Sequence, residues 1–165
     1  ARSRGLGDVY KRQLYSPGHA KHHYSFYDEF SGTLFMGDTL GLIYPHGDFV
    51  QPNLPPPDFD KDILFKTLDS FEKLEINQLA IAHFGIHKNA RELINDAKES
   101  IENWILFIRN IENLSNDDAS NELLKWLIRN YESLGIDNET IKNYIGNGNF
   151  VMQIEGIRNY LRKRS

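Results

Sequence analysis

Cysteine is absent from the 165 residues. That excludes disulfides, a thiol nucleophile and cysteine-ligated zinc within this stretch, and it fits a reducing compartment, so a cytoplasmic location is expected. No run of 18 apolar residues occurs, so no membrane-spanning helix and no membrane partner are expected. A signal-peptide pattern is also missing. There is no excess of basic charge: 19 Lys and Arg stand against 23 Asp and Glu, for a net charge of −4. Nucleic-acid binding usually needs a basic face, so the balance argues against it. Internal repeats and low-complexity segments are lacking too. What remains is an ordinary globular composition, 40% hydrophobic and 25% charged, enough for one domain.

Residues 1–13, ARSRGLGDVYKRQ, read unlike the rest. They hold four basic residues and one acid and show no helical or strand period. They resemble translated adapter or linker sequence, and the expectation is that they lie outside the native fold. A basic, flexible native terminus is the alternative. Leu14 and Tyr15 are the stub of a strand. Residues 23–30 alternate, with His23, Ser25 and Tyr27 on one face and Tyr24, Phe26 and Asp28 on the other, which suits a strand. Ser31-Gly32 is a turn and 33–36 the returning strand, giving a β-hairpin. Residues 39–59 carry five of the six prolines and read as a stiff loop, either a pocket wall or a surface crossover. His46, within it, reads as a solvated loop residue.

Asp60 is a plausible N-cap for a helix over 60–75, with Leu64, Leu68, Phe71 and Leu74 on one stripe. Residues 78–82 read as a short buried strand. Asn89 with Glu92 three residues on resembles a capping box opening a helix to about 113. Further helices are expected over 121–134, ended by Gly135, and near 139–145 and 152–162. This organisation gives an α/β class with layered α+β character: a first unit over 14–88 and a helical extension over 89–165. The extension carries no ligand cluster. Its tryptophans, Trp104 and Trp126, read as core, with a lid or a homo-oligomer face as the second reading.

The stretch 16–38, SPGHAKHHYSFYDEFSGTLFMGD, holds three of the six histidines within five residues. His19 follows Pro17-Gly18, Asp38 follows Leu34-Phe35-Met36-Gly37, and His83 sits in Ala82-His83-Phe84-Gly85. Each stands where a strand runs out into a loop, which is where sheet proteins place chemistry. Histidine and aspartate are also the N/O ligand set that zinc, iron and manganese accept.

Over roughly residues 14–86 this ordered set resembles the metallo-β-lactamase-fold hydrolases, a superfamily that includes glyoxalase II and the lactonases. The resemblance implies an αββα-type fold, here in part: a β-hairpin, one further strand and a helical C-terminal tail. It implies His19 on one metal, His83 on a second and Asp38 bridging the two, with His23 close by but not a ligand, hydrogen bonding or packing. It also implies a hydrolase in which two divalent metals, zinc first with iron or manganese as alternatives, share a bridging hydroxide that attacks a small-molecule thioester, lactone or similar acyl ester. The family's HxHxDH motif appears nowhere in the sequence. The chain therefore reads as the C-terminal half of such an enzyme, inactive by itself and binding metal weakly or not at all. The alternative is a non-catalytic helical interaction module with a relic metal half-site.

Overall fold

A computed structural model describes residues 11–44, 49–83, 85–145 and 150–164. Strands β1 (Lys11–Tyr15), β2 (Tyr24–Asp28) and β3 (Thr33–Gly37) lead to two short strands, β4 (Leu42–Ile43) and β5 (Val50–Gln51). Helix α1 (Lys61–Phe71) follows, then β6 (Gln78–Ile81) and β7 (Ile86–His87). Four helices complete the chain: α2 (Ala90–Asn110), α3 (Asn116–Ser133), α4 (Asn138–Ile145) and α5 (Val151–Arg162). The main sheet has the order β1-β2-β3-β6-β7, and β4 and β5 form a second, antiparallel pair.

The alternation expected in β2 holds. Ser25 and Tyr27 are buried, whereas Tyr24 and Phe26 are exposed. Leu34 and Met36 of β3 and Leu79 and Ile81 of β6 are buried with them. They share one core cluster with Leu64, Leu68 and Phe71 of α1 and with the apolar stripe of α2. Helix α1 starts where its cap demands: the Asp60 carboxylate accepts from the backbone N–H groups of Asp62 and Ile63.

Lys11, Arg12 and Gln13 continue β1 and pair with Asp28, Tyr27 and Phe26; residues 1–10 lie outside the described residues. Three expectations need correction. The stretch 39–59 is not all loop: Leu42–Ile43 pairs with Val50–Gln51, and Leu40, Ile43, Val50 and Leu54 are buried. Its proline run closes in a turn, with Phe59 N–H bonded to the Pro55 carbonyl at 3.2 Å and a cis Pro56–Pro57 bond. Helix α3 begins five residues earlier than the periodicity suggests, since Ser115 Oγ accepts from the Asp118 N–H and fixes the first turn. Asn89 occupies the N-cap of α2 without any side-chain capping bond. His46 lies outside the described residues.

The helical tail is built into the same core. Trp104 is 2% exposed, and Leu123, Leu127, Ile154 and Ile157 are buried beside it. The exposed Leu106, Leu114, Leu134 and Met152 stand on four different segments. Helix α5 approaches residues 54–55 so closely that a Cβ at Gly156 would run into the Leu54 carbonyl oxygen. Alanine ordinarily favours a helix interior over glycine by about 1 kcal/mol. Here Gly156→Ala is expected to destabilise by about 1–3 kcal/mol through overpacking, read as a lower thermal midpoint. A midpoint that stays or rises would show that α5 does not sit against this loop.

Candidate functional site

The site begins with β3 and β6, the one parallel pair in the main sheet. Parallel pairing brings both carboxyl ends to the same edge. The pairing runs Phe35 to Ala80 and then Gly37 to Ile81, so β3 carries one extra residue at its end. Such a bulge re-aims the side chain that follows it. Ala82 N–H bonds to the Gly37 carbonyl at 3.1 Å and locks this end. Asp38 and His83 thereby meet, with Asp38 Oδ1 3.4 Å from His83 Nε2.

His19 reaches the site from the turn after β1. Gly18 has φ +124°, and its Cα lies against the backbone of Leu64 in α1, where no side chain fits. The turn is held to α1 by Thr67 Oγ1, which donates to the Pro17 carbonyl at 2.7 Å, and by Asp60 N–H, which donates to the Gly18 carbonyl at 2.9 Å. His19 is 8% exposed, and its Nδ1 lies 2.8 Å from the Asn53 carbonyl oxygen. A carbonyl only accepts, so Nδ1 carries the proton and Nε2 keeps the lone pair. That is the orientation a metal-ligating imidazole takes.

His23 stands between the two halves of the site. Its ring lies edge-on to His19, with centroids 5.8 Å apart. Its Nε2 sits over Gly37, where a Cβ would come within 2.6 Å. Its Nδ1 contacts Ser16 Oγ at 2.8 Å and Thr39 Oγ1 at 3.0 Å, and Ser25 Oγ donates to Ser16 Oγ at 3.0 Å. Burial pushes the His23 pKa below its ordinary 6.5; the His19 and His22 rings act in the same direction and the Asp38 carboxylate opposes them.

Sequence reasoning missed the hydroxyls of Ser16, Ser25 and Thr39 and the carbonyl of Asn53. Ser16 and Thr39 adjoin the motifs and could have been found there. Asn53 is 34 residues from His19 and carries no local signal. It is held in turn by α5: Gln153 Nε2 donates to Asn53 Oδ1 at 3.2 Å, and Gln153 Oε1 accepts from Leu54 N–H.

Two of the three candidate donors, Asp38 and His83, meet, and His19 stands apart from them. Among the described residues the buried Asp38 Oδ1 makes no hydrogen bond and faces His83 Nε2; such a carboxylate oxygen is costly unless a cation faces it. Two ligands about 2.1 Å from one tetrahedral ion stand roughly 3.4 Å apart, which is the spacing of Asp38 Oδ1 and His83 Nε2. Among the described residues, no three His, Cys, Asp or Glu side chains form a complete metal-binding group, so His19 is not gathered onto the same point. Two cavities among the described residues lie elsewhere. One of about 700 Å³ between α2 and α3 is lined by Glu92, Asp96, Trp126 and Tyr131. Another of about 320 Å³ lies beside His87.

No family model matches the sequence, and comparison with curated proteins finds no match. Solved structures do match. A metallo-β-lactamase family protein from Thermus thermophilus aligns over 93% of this chain and 44% of its own, at 19% identity and a TM-score of 0.62. An archaeal metallo-β-lactamase superfamily protein from Sulfolobus tokodaii aligns over 55% of this chain and 34% of its own, at 30% identity and a TM-score of 0.46. A double mutant of a sec-alkyl sulfatase aligns over 70% and 21%, at 14% identity and 0.44. The chain spans less than half the length of each. It carries part of the metallo-β-lactamase fold, an α/β arrangement with, among the described residues, a five-stranded sheet, a two-stranded pair and five helices. Among the described residues no helix is long and apolar enough to cross a membrane.

Two measurements check this geometry. Nitrogen-15 spectra of the neutral imidazoles should show His19 as the Nδ1–H tautomer; an Nε2–H signature would contradict the Asn53 contact. The His23 shift also has a sign. Its folded pKa lies below the unfolded value, so as pH falls the unfolded chain takes up the proton first. Its stabilising contribution is complete above 6.5 and is lost as pH drops through the lower folded value. The fall in thermal midpoint below pH 6.5 should therefore be shallower in His23→Gln than in the unsubstituted chain, and equal slopes would refute the burial argument.

Proposed function

We propose that the chain is the C-terminal half of a metal-dependent hydrolase acting on a thioester, lactone or similar acyl ester of a small molecule. The observation that carries this reading is the meeting of Asp38 and His83 around a buried carboxylate oxygen that makes no hydrogen bond among the described residues. The likeness in fold to the Thermus protein of the metallo-β-lactamase family supports the same class. Bound divalent metal, zinc first with iron or manganese as alternatives, supplies Lewis-acid activation of water and of the ester carbonyl.

The roles of the residues follow from their atoms. Asp38 offers two oxygens, one buried beside His83, so it can face two cations where an imidazole cannot. His19 offers Nε2, turned toward the site by the Nδ1–H bond to the Asn53 carbonyl. His83 offers Nε2 from the next strand end. His23 fills the space over Gly37 and keeps Nδ1 between two hydroxyls, so its work is to hold the turn and the end of β3 together. The remaining ligands belong to an HxHxDH motif in polypeptide preceding this stretch.

The interaction-module alternative drew on an amphipathic helical tail that carries no chemistry, and it needs that tail's apolar face to be open. The buried stripes of α2, α3 and α5 leave it without that support.

The test is to express the chain together with its native upstream coding sequence. Metal-dependent hydrolysis of an acyl ester series is expected, and Asp38→Ala should lower it by more than about 100-fold, beyond the effect typical of an outer hydrogen-bond partner. The 165-residue chain alone should show no tight stoichiometric zinc site by calorimetry. Upstream sequence without HxHxDH, or full activity in Asp38→Ala, would end this reading.

A further inference from the structure

The cavity of about 700 Å³ between α2 and α3 holds a charge pattern that the hydrolase reading does not use. Glu92, Asp96 and Glu99 follow one another at successive turns of α2, and all three line it. Like charges three and four residues apart on a helix repel and weaken it. No Lys or Arg lines this cavity. Among the described residues no Lys or Arg pairs with any of the three. Lys98, on the same helix, turns to Asp69 and Glu72 instead. Asp96 is partly buried; burial, then Glu92 and Glu99, push its carboxyl above the ordinary 3.8. Beside the carboxylates stand aromatic rings. Trp104 is 2% exposed and Tyr131 4%, and Trp126 is stacked on Phe107 with ring centroids 4.9 Å apart. Glu92 and Asp96 also line the neighbouring cavity of about 320 Å³, and so does His87. His87 Nε2 is buried and makes no hydrogen bond among the described residues. A buried ring nitrogen without a partner marks a place where a bonding group is missing. Lys88 borders that cavity too, yet it pairs with neither carboxylate.

We propose that this cleft is a binding site for a primary organic ammonium, with the charged head against Glu92 and Asp96, where both cavities meet those carboxylates, and the carbon body along Trp126. The inference stands apart from the hydrolase reading and uses none of its residues. An ammonium supplies the countercharge that the row of carboxylates lacks, and its N–H groups donate to them. A third N–H faces the His87 ring. The aromatic wall takes the carbon body and attracts the cation through its ring faces. A divalent metal suits the cleft less: among the described residues no three His, Cys, Asp or Glu side chains converge to hold one, and a metal has no use for indole rings. A neutral apolar guest would leave the carboxylates uncompensated.

Both tryptophans of the sequence line the larger cavity, so intrinsic fluorescence reads its occupancy directly. The 165-residue chain is titrated at constant ionic strength with hexylammonium and, separately, with 1-hexanol, which has the same body and no charge. Hexylammonium should give a saturable change and shift the His87 ring nitrogens in nitrogen-15 spectra. Hexanol should bind at least about tenfold more weakly, and Asp96→Asn should weaken hexylammonium by about tenfold or more, as loss of a charged hydrogen-bond partner does. Glu112→Gln removes the same charge at an exposed position elsewhere and should leave the affinity unchanged. The thermal midpoint of Asp96→Asn should stay or rise, because repulsion within α2 is relieved; Glu92→Gln gives the same reading of affinity if Asp96→Asn folds poorly. Equal affinity for hexanol would make the cleft a plain apolar groove and overturn the proposal. Equal losses in Asp96→Asn and Glu112→Gln would reduce it to diffuse attraction by an acidic chain. A flat titration, or His87 resonances that do not move, would also overturn it. No ester substrate enters the readout, so these outcomes are independent of the hydrolase reading.

Discussion

The parallel pairing of β3 with β6 is the constraint on which the site depends. Asp38 and His83 are 45 positions apart in the sequence, and neither belongs to a strand. They meet because two strands that run the same way end at the same edge, and because the extra residue before Gly37 turns Asp38 toward the neighbouring strand end. Gly37, at φ +56°, fits that bend and leaves room for the His23 ring. A side chain there would push His23 away and, with it, the turn that carries His19.

The support for the site reaches the last helix of the chain. Gln153 of α5 holds Asn53 and Leu54, and the Asn53 carbonyl orients His19. The end of the chain is tied to α1 by Arg164, which pairs with Asp60 and Asp62. Asp62 is held below the usual carboxylate range chiefly by its hydrogen bond from Arg164. The ion pair is partly exposed and contributes little by itself. It nevertheless marks where α5 ends against the start of α1, the helix whose backbone receives the His19 turn. The tail that looks chemically empty in sequence therefore acts as a scaffold for the His19 turn.

Local signals were legible and distant ones were not. Alternation in residues 24–28 marked the strand and its faces, since each side chain there answers to burial on one side. Asp60 marked the start of α1 because capping is a matter of three residues. The order of His19, Asp38 and His83 pointed to a metallo-β-lactamase-type fold. The cap at Ser115 was readable from the serine and Asp118 three residues on, but apolar periodicity begins later and outweighed it. The short strands at 42–43 and 50–51 were hidden by prolines, which remove a donor only at their own position and leave their neighbours free to pair. The Asn53 carbonyl lay beyond sequence reasoning, because a backbone oxygen has no residue type.

The central claim is that the register of β3 against β6 sets Asp38 beside His83. Cross-strand nuclear Overhauser contacts in the labelled 165-residue chain measure that register directly. The account predicts contacts pairing Phe35 with Ala80 and Gly37 with Ile81, and slow exchange of the Ala82 amide bonded to Gly37. Contacts pairing Gly37 with Ala82 instead would mean an unbroken ladder, with Asp38 turned to the other side and no common site with His83.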